Sequence, residues 1–404
     1  MLALGRAIAH GGGGVLEGVF DFASYDDLPM DQRDPELSSI HAKREWHWMT
    51  TLAREYGVTL SFASGLGNPI FHAMGDFNEE VGRSAINAQV FVRPQGRLLS
   101  FDANTNPFQY TSTWRDMVAS GQIDFSSPEA KRRTCAFLRQ ESTRDAIVDE
   151  CIATVQAGDR TGKILEAIMG PMGQVYRWVE CYEARPGDSV KDTAKALGTS
   201  EYAVCFDWMA NAIDGSDGLG CLWHPMFQAD PNNEGLRKAF DYPHAMPGVA
   251  DGGAHGTILT DATANTTLLS WYCRDRTPDY GPNMTLENAV YKSTSAISNM
   301  YSLFDRGVIS PGKKADINVI DLEALKVLQP EYVHDLPEQA SRWVQYVEGY
   351  VSSIWIAHDH PESPLDTITL SLCCHPFVCN IQCFPLRSEL PPVARSTLMF
   401  ACGV

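Results

Sequence analysis

The chain of 404 residues is long enough for one large domain and a smaller companion. Its 44% hydrophobic and 20% charged content is that of a globular protein, and a net charge of −18 argues against nucleic acid and anionic membrane surfaces, which both require basic patches. No stretch approaches the roughly 20 apolar residues of a membrane span. The weakly apolar start is broken by Arg6 and His10 and runs into Gly11, Gly12, Gly13 and Gly14, a poor secretory signal, so the expected location is cytoplasmic.

Residues 15–22 read as a strand after that glycine turn. A helix fits Pro35–Tyr56, where Met49, Leu52, Ala53 and Tyr56 fall at i, i+3, i+4 and i+7 on one face. Gly57 stops it and residues 58–63 follow as a strand, the βαβ rhythm of a parallel sheet. Residues 76–88 are expected to be helical, and residues 89–94 to form a strand ended by Pro94. Ser126, Ser127, Pro128 and Glu129 make a helix start. Ser189 opens a short helix that Gly198 closes, and Thr199 or Ser200 caps the next. Residues 219–223 and 246–250 read as strands, with helices near 261–273 and 286–304. Beyond Phe304 the style changes, and residues 307–321 read as a turn followed by an alternating strand.

From about His358 the chain is rich in Pro, Ser and Cys and has no period, so it reads as a separate, poorly packed tail. Of the 11 cysteines, Cys373, Cys374, Cys379, Cys383 and Cys402 crowd this stretch, and the others are scattered singly as buried thiols are. The odd total and uneven spacing do not make a disulfide framework. The Cys373–Cys383 cluster around His375 is too compact for the two separated ligand pairs of a structural zinc site.

The segment of greatest chemical content runs Pro247-Gly248-Val249-Ala250-Asp251-Gly252-Gly253-Ala254-His255. An apolar run ends in a carboxylate on a Gly-rich turn, which is how an α/β barrel builds a reaction centre at the C-terminal ends of its strands. A turn in which Asp251 only accepts local N–H groups is the alternative. Gly252 and Gly253 let the backbone approach a ligand. His255 is a candidate for binding or polarising a substrate, or a hydrogen-bonded turn residue. Arg93, Arg274 and Arg276 are candidates for gripping a substrate carboxylate with a bidentate guanidinium. Ion pairs with Asp275 or Asp279, or a favourable place at a helix C-terminus, are the plainer account of Arg274 and Arg276.

Four segments together resemble the amidohydrolase 3 family, in its N-acyl-D-amino-acid deacylase (D-aminoacylase-like) branch. They are residues 250–255, Arg274-Asp275-Arg276-Thr277, residues 305–321 with Pro311-Gly312-Lys313-Lys314-Ala315-Asp316, and Val333-His334-Asp335-Leu336-Pro337. The resemblance spans roughly residues 2–357 and is weakest between 140 and 187. It implies an α/β fold: a TIM-like barrel plus a β-sandwich made from both chain ends. It further implies a zinc-dependent hydrolase of carbon–nitrogen amide bonds, with small N-acyl amino acids as substrates. Asp251 matches the aspartate that shuttles the proton beside a metal-held water, and it touches the metal.

The chain also departs from that pattern. Family members end their first barrel strand in His-x-His; here His358-Asp359-His360 has the spacing but follows the sandwich segment. The places of the metal-binding histidines of the fifth and sixth strands fall in residues 20–24 and 61–65, which hold no histidine. Asp21 is a candidate substitute ligand, or else a turn aspartate. The resemblance therefore starts in mid-barrel, and the chain reads as truncated at its N-terminus and divergent at its C-terminus. The expected organisation is a partial TIM-like barrel over residues 1–304, a β-sandwich fragment over 305–357 and the tail over 358–404. The expected function is an N-acyl-D-amino-acid deacylase-like hydrolase; the alternative is a catalytically inactive fragment or scaffold.

Overall fold

The computed structural model describes residues 1–19, 35–64, 70–94, 96–225, 233–250, 253–355, 369–371 and 397–401. The fold is mixed α/β. Helix α1 (Leu2–His10) leads into β1 (Val15–Gly18), α2 (Pro35–Tyr56), β2 (Thr59–Ser64), α3 (Ile70–Val81) and β3 (Ile86–Phe91). These strands lie parallel in chain order, with Glu17 beside Ser61 and Ala63 beside Gln89.

The helix-covered face of this sheet is apolar. Leu16, Leu60, Phe62, Ile86, Ala88 and Val90 are buried against Met49, Leu52 and Ala53 of α2 and Phe71, Met74 and Phe77 of α3. Burying each of the larger side chains stabilises the fold by about 1.5–3 kcal/mol. Gly5 lets α1 lie directly on α2, since a β-carbon there would come within 2.9 Å of Leu52 Cδ1.

The helix expected over 76–88 ends at Val81: residues 82–85 are a turn and residues 86–88 already belong to β3. Gly82 takes φ 68° and ends α3. Buried Asn78 then captures the start of β3: its Oδ1 accepts from the N–H groups of Ala85 and Ile86, both at 2.9 Å, and its Nδ2 donates to Ile86 O. A side chain that satisfies strand backbone in this way turns the chain from helix to strand.

A long excursion follows β3. It comprises β4 (Gly96–Leu99), α4 (Ser112–Ala119), α5 (Pro128–Leu138), α6 (Glu141–Ala157), α7 (Arg160–Met169), β5 (Tyr176–Arg177), α8 (Val190–Leu197), α9 (Glu201–Ala210) and β6 (Leu222–Pro225). Ser127, Ser189 and Ser200 cap α5, α8 and α9 by accepting the N–H groups of Ala130, Asp192 and Ala203. The helices enclose their own core around Phe108, Trp114, Ile147, Leu165 and Phe206. The antiparallel sheet β4-β6-β5 joins this core to the rest.

His224 of β6 is 8% exposed, and its Nδ1 stands 3.1 Å from Arg97 Nη2. Burial, and then the neighbouring guanidinium, push its pKa down to about 4. The unfolded chain binds this proton near pH 6.5, so the imidazole contributes stability above that pH and the contribution is lost as pH falls toward 4. The loss over this window is about 3 kcal/mol. Urea midpoints measured from pH 7 to pH 4 are expected to fall more steeply for the native chain than for His224→Gln. Parallel curves would show that His224 does not titrate in this window.

After α10 (Glu234–Ala239), β7 (Ala245–Gly248) returns to the parallel sheet beside β3, with Ala88 opposite Ala245 and Phe91 opposite Gly248. The order β1-β2-β3-β7 completes a four-stranded parallel sheet. Buried Lys292 donates to the carbonyls of Tyr242, Pro243 and Ala245 and so secures the entrance to β7.

α11 (Ala264–Thr267) runs into a π-helical segment, Leu268–Asp275, and then come α12 (Leu286–Ser293) and α13 (Ser295–Met300). The helix expected over 286–304 is broken at Thr294, whose φ −129° and ψ −91° lie outside helical values.

The remainder is antiparallel: β8 (Ile317–Asp321), β9 (Lys326–Val327), β10 (Glu331–Val333), β11 (Arg342–Val344), β12 (Val347–Glu348), β13 (Tyr350–Trp355), β14 (Thr369–Ser371) and β15 (Thr397–Ala401). β14 and β15 flank β13 and β8 in one sheet, so two pieces of the segment read as a loose tail are strands. No described helix is long and apolar enough to cross a membrane.

Candidate functional site

The C-terminal ends of β1, β2, β3 and β7 lie along one rim of the parallel sheet. Beyond β7 the backbone is strained. Val249 takes φ 56°, a conformation that is a genuine outlier for a β-branched residue. Gly253 takes φ 95° with open space where a β-carbon would stand, and His255 takes φ 48°. Asp251 and Gly252, between them in sequence, lie outside the described residues.

The loop that follows is anchored firmly. His255 O accepts from Ile258 N at 2.7 Å, Ile258 O accepts from Leu98 N of β4, and Gly256 O accepts from Trp343 N of β11. The His255 side chain is exposed.

A polar row crosses the other face of the sheet beneath this rim. Gln89 Nε2 donates to Glu17 Oε1 at 2.7 Å and to Ser61 Oγ at 2.8 Å, and the Tyr301 hydroxyl also reaches Glu17. Gly248 makes room for Gln89, since a β-carbon there would lie 2.7 Å from Gln89 Cβ. Glu17 and Gln89 were not among the residues singled out from the sequence. Their alternate positions in β1 and β3 were the available signal, because residues two apart share a sheet face.

The three candidate arginines are placed as internal braces. Arg93 is 2% exposed; its Nε donates to Asp261 Oδ1 at 3.2 Å, and its other nitrogens reach Thr267 Oγ1, Thr260 O and Gln345 Oε1. Its guanidinium also lies 4.0 Å from the ring centre of Tyr182. Arg276 is 1% exposed and meets Glu183 at 3.0 Å and Glu234 at 3.1 Å, with further donation to Pro282 O and Tyr280 O. Arg274 pairs with Asp275 through two contacts and donates to the carbonyls of Leu322, Glu323 and Leu325.

For Arg274 the adjacent Asp275 is the partner the sequence offers. For Arg276 the partners are distant Glu183 and Glu234, not Asp275 or Asp279. Burial pushes the Glu183 carboxyl up, while Arg276 and the Trp271 indole N–H pull it down. These guanidinium groups are spent on structure, so a substrate carboxylate would have to displace an existing partner of each.

His244 sits at the opposite end of β7 from the rim, with Nδ1 2.9 Å from Ser84 Oγ; burial, and then Lys292, lower its pKa. Asp21, His358, His360, His375 and the Cys373–Cys383 cluster lie outside the described residues.

Zinc takes three or four N, S or O ligands. Among the described residues no group of three or more His, Cys, Asp or Glu side chains is arranged to hold a metal ion. No protein-family model, no curated protein and no solved structure matches the chain.

Proposed function

We infer that this chain is an amide-bond hydrolase of the amidohydrolase type, with its reaction centre at the rim beyond β7 and Asp251 as its proton carrier. The observation that carries the reading is the strained Val249 at the end of a parallel strand, two residues before a carboxylate. Backbone strain of this kind costs about 1–3 kcal/mol and clusters at functional sites. The four parallel strands in chain order, the return of β7 beside β3 and the antiparallel strands after Asp316 support an origin in a TIM-like barrel with a β-sandwich companion.

In this reading Asp251 takes a proton from water as the oxygen adds to the substrate carbonyl, and returns it to nitrogen as the carbon–nitrogen bond breaks. The products are a carboxylate and an amine. Members of the family it resembles use zinc to activate the water.

The test is release of free amino acid from N-acetyl-D-methionine and its L enantiomer by the purified chain, with metal content measured on the same sample. Release that favours one enantiomer supports the reading. A second reading, a non-catalytic scaffold, is favoured by the full internal commitment of Arg93, Arg274 and Arg276. Absence of hydrolysis both as purified and after zinc addition, from a cooperatively folded sample, selects it.

A further inference from the structure

A cavity of about 580 Å³ opens where the excursion, the π-helical segment and β9 meet. Its floor is aromatic and small-polar: Trp178 and Tyr182 are each 3% exposed, Ser270 is 4% exposed, and half-buried Trp271 forms a side wall. Its mouth is acidic: Glu180 and Asp214 are exposed there beside Asp275.

The positive charges nearby are already matched. Both oxygens of Asp275 receive Arg274, and Lys326 pairs with Glu348 at 2.8 Å. Among the described residues Glu180 and Asp214 have no cationic partner within ion-pair distance. The mouth therefore keeps a net negative charge above an aromatic floor.

The walls are built to hold this shape. The Arg276 N–H donates to Trp271 O, five residues back, at 2.8 Å, the wide winding that turns Ser270, Trp271, Arg274 and Asp275 toward one cavity. Such winding is rare and recurs at functional sites. Arg274 ties this wall to the carbonyls before β9, Gln345 Nε2 holds Leu328 O at 2.9 Å, and Gln329 Nε2 holds Leu219 O at 3.0 Å. One face of Tyr182 is taken by Arg93 and Trp178 is packed against Tyr182, so the half-buried indole of Trp271, with exposed Val179 and Ile213 beside it, is the apolar surface left for a ligand.

We propose that this cavity binds a small organic cation: an ammonium or guanidinium head carried on an apolar body. The apolar body lies on the Trp271 indole, Val179 and Ile213, and the head is held by Glu180 and Asp214 at the mouth. The assignment does not depend on amide hydrolysis, because none of its residues belongs to the rim beyond β7.

Isothermal titration calorimetry of the full chain with 3-phenylpropylammonium and with its anionic counterpart 3-phenylpropionate tests the proposal. The cation is expected to bind, more weakly as salt rises, and the anion not to bind at tenfold higher concentration. Glu180→Gln combined with Asp214→Asn is expected to weaken the cation about tenfold. Both positions are exposed, so folding is unaffected. Ile213→Arg, at an exposed lining position, places a competing guanidinium in the mouth and is expected to abolish binding. Equal binding of the anion, unchanged affinity in both variants, or no binding of the cation at millimolar concentration overturns the proposal.

Discussion

Asp251→Asn is expected to lower turnover by a factor of about 10²–10⁴ while leaving the unfolding free energy from urea titration within about 0.5 kcal/mol of the native value. The carboxamide has the carboxylate's shape but cannot accept the proton of an attacking water or return it to the departing nitrogen. The loss should fall on kcat, with KM little changed, because the carboxylate acts only as charge moves in the transition state. Binding of a substrate analogue, followed by calorimetry, should survive. Turnover in this variant within twofold of the native rate would remove Asp251 from the chemistry.

Arg276→Met should be the most damaging single change to stability, at about 3–5 kcal/mol. The native guanidinium is 1% exposed and lies between Glu183, whose side chain is fully buried, and Glu234. Methionine fills much of the space but leaves the Glu183 carboxylate, among the described residues, with only the Trp271 indole N–H as a side-chain donor. Burial already raises the Glu183 pKa, and removing Arg276 takes away the largest opposing influence. For a carboxyl whose folded pKa is raised, stability is highest below the unfolded pKa and is lost as pH rises through the folded one.

The variant should therefore be weakest at neutral pH and recover partly near pH 4. Adding Glu183→Gln should restore much of the loss at pH 7, since the amide still accepts from Trp271 and carries no charge. Denaturant curves of the two variants at pH 7 and pH 4 measure both effects. A single-variant loss below 1 kcal/mol at pH 7 would show that the pair contributes little.

The local elements were legible in the sequence where local physics decides them. The helix Pro35–Tyr56 follows from the spacing of Met49, Leu52 and Ala53, all of which are buried. Serine caps at Ser127, Ser189 and Ser200 start helices because a hydroxyl satisfies an orphan N–H group within three residues. Where a distant partner decides, the reading failed or stayed open. Residues 86–88 are strand because they lie between β2 and β7 and Asn78 holds their first residue. Thr397–Ala401 is a strand because β8 offers it an edge.

The same limit governs the site. The segment around Asp251, which itself lies outside the described residues, stands out in sequence through glycine and aspartate, residues with strong local preferences. The roles of the arginines do not. Arg93 meets Asp261 and Gln345, and Arg276 meets Glu183, only after the chain has returned from far away. A lone arginine reads the same in sequence whether it grips a ligand or braces a core.

The place of β7 has a consequence for how the molecule is made. Its partner β3 leaves the ribosome roughly 150 residues earlier, and closing so long a loop carries an entropic cost that grows with its length. Such high contact order slows assembly and leaves the edge of β3 unpaired during synthesis. The intervening helices, with their separate core, can condense first and bring Ala245 back within reach of Ala88. Variants that loosen this helical core should therefore lengthen the time β3 stays exposed, with aggregation during expression as the visible symptom, even where the finished fold tolerates them.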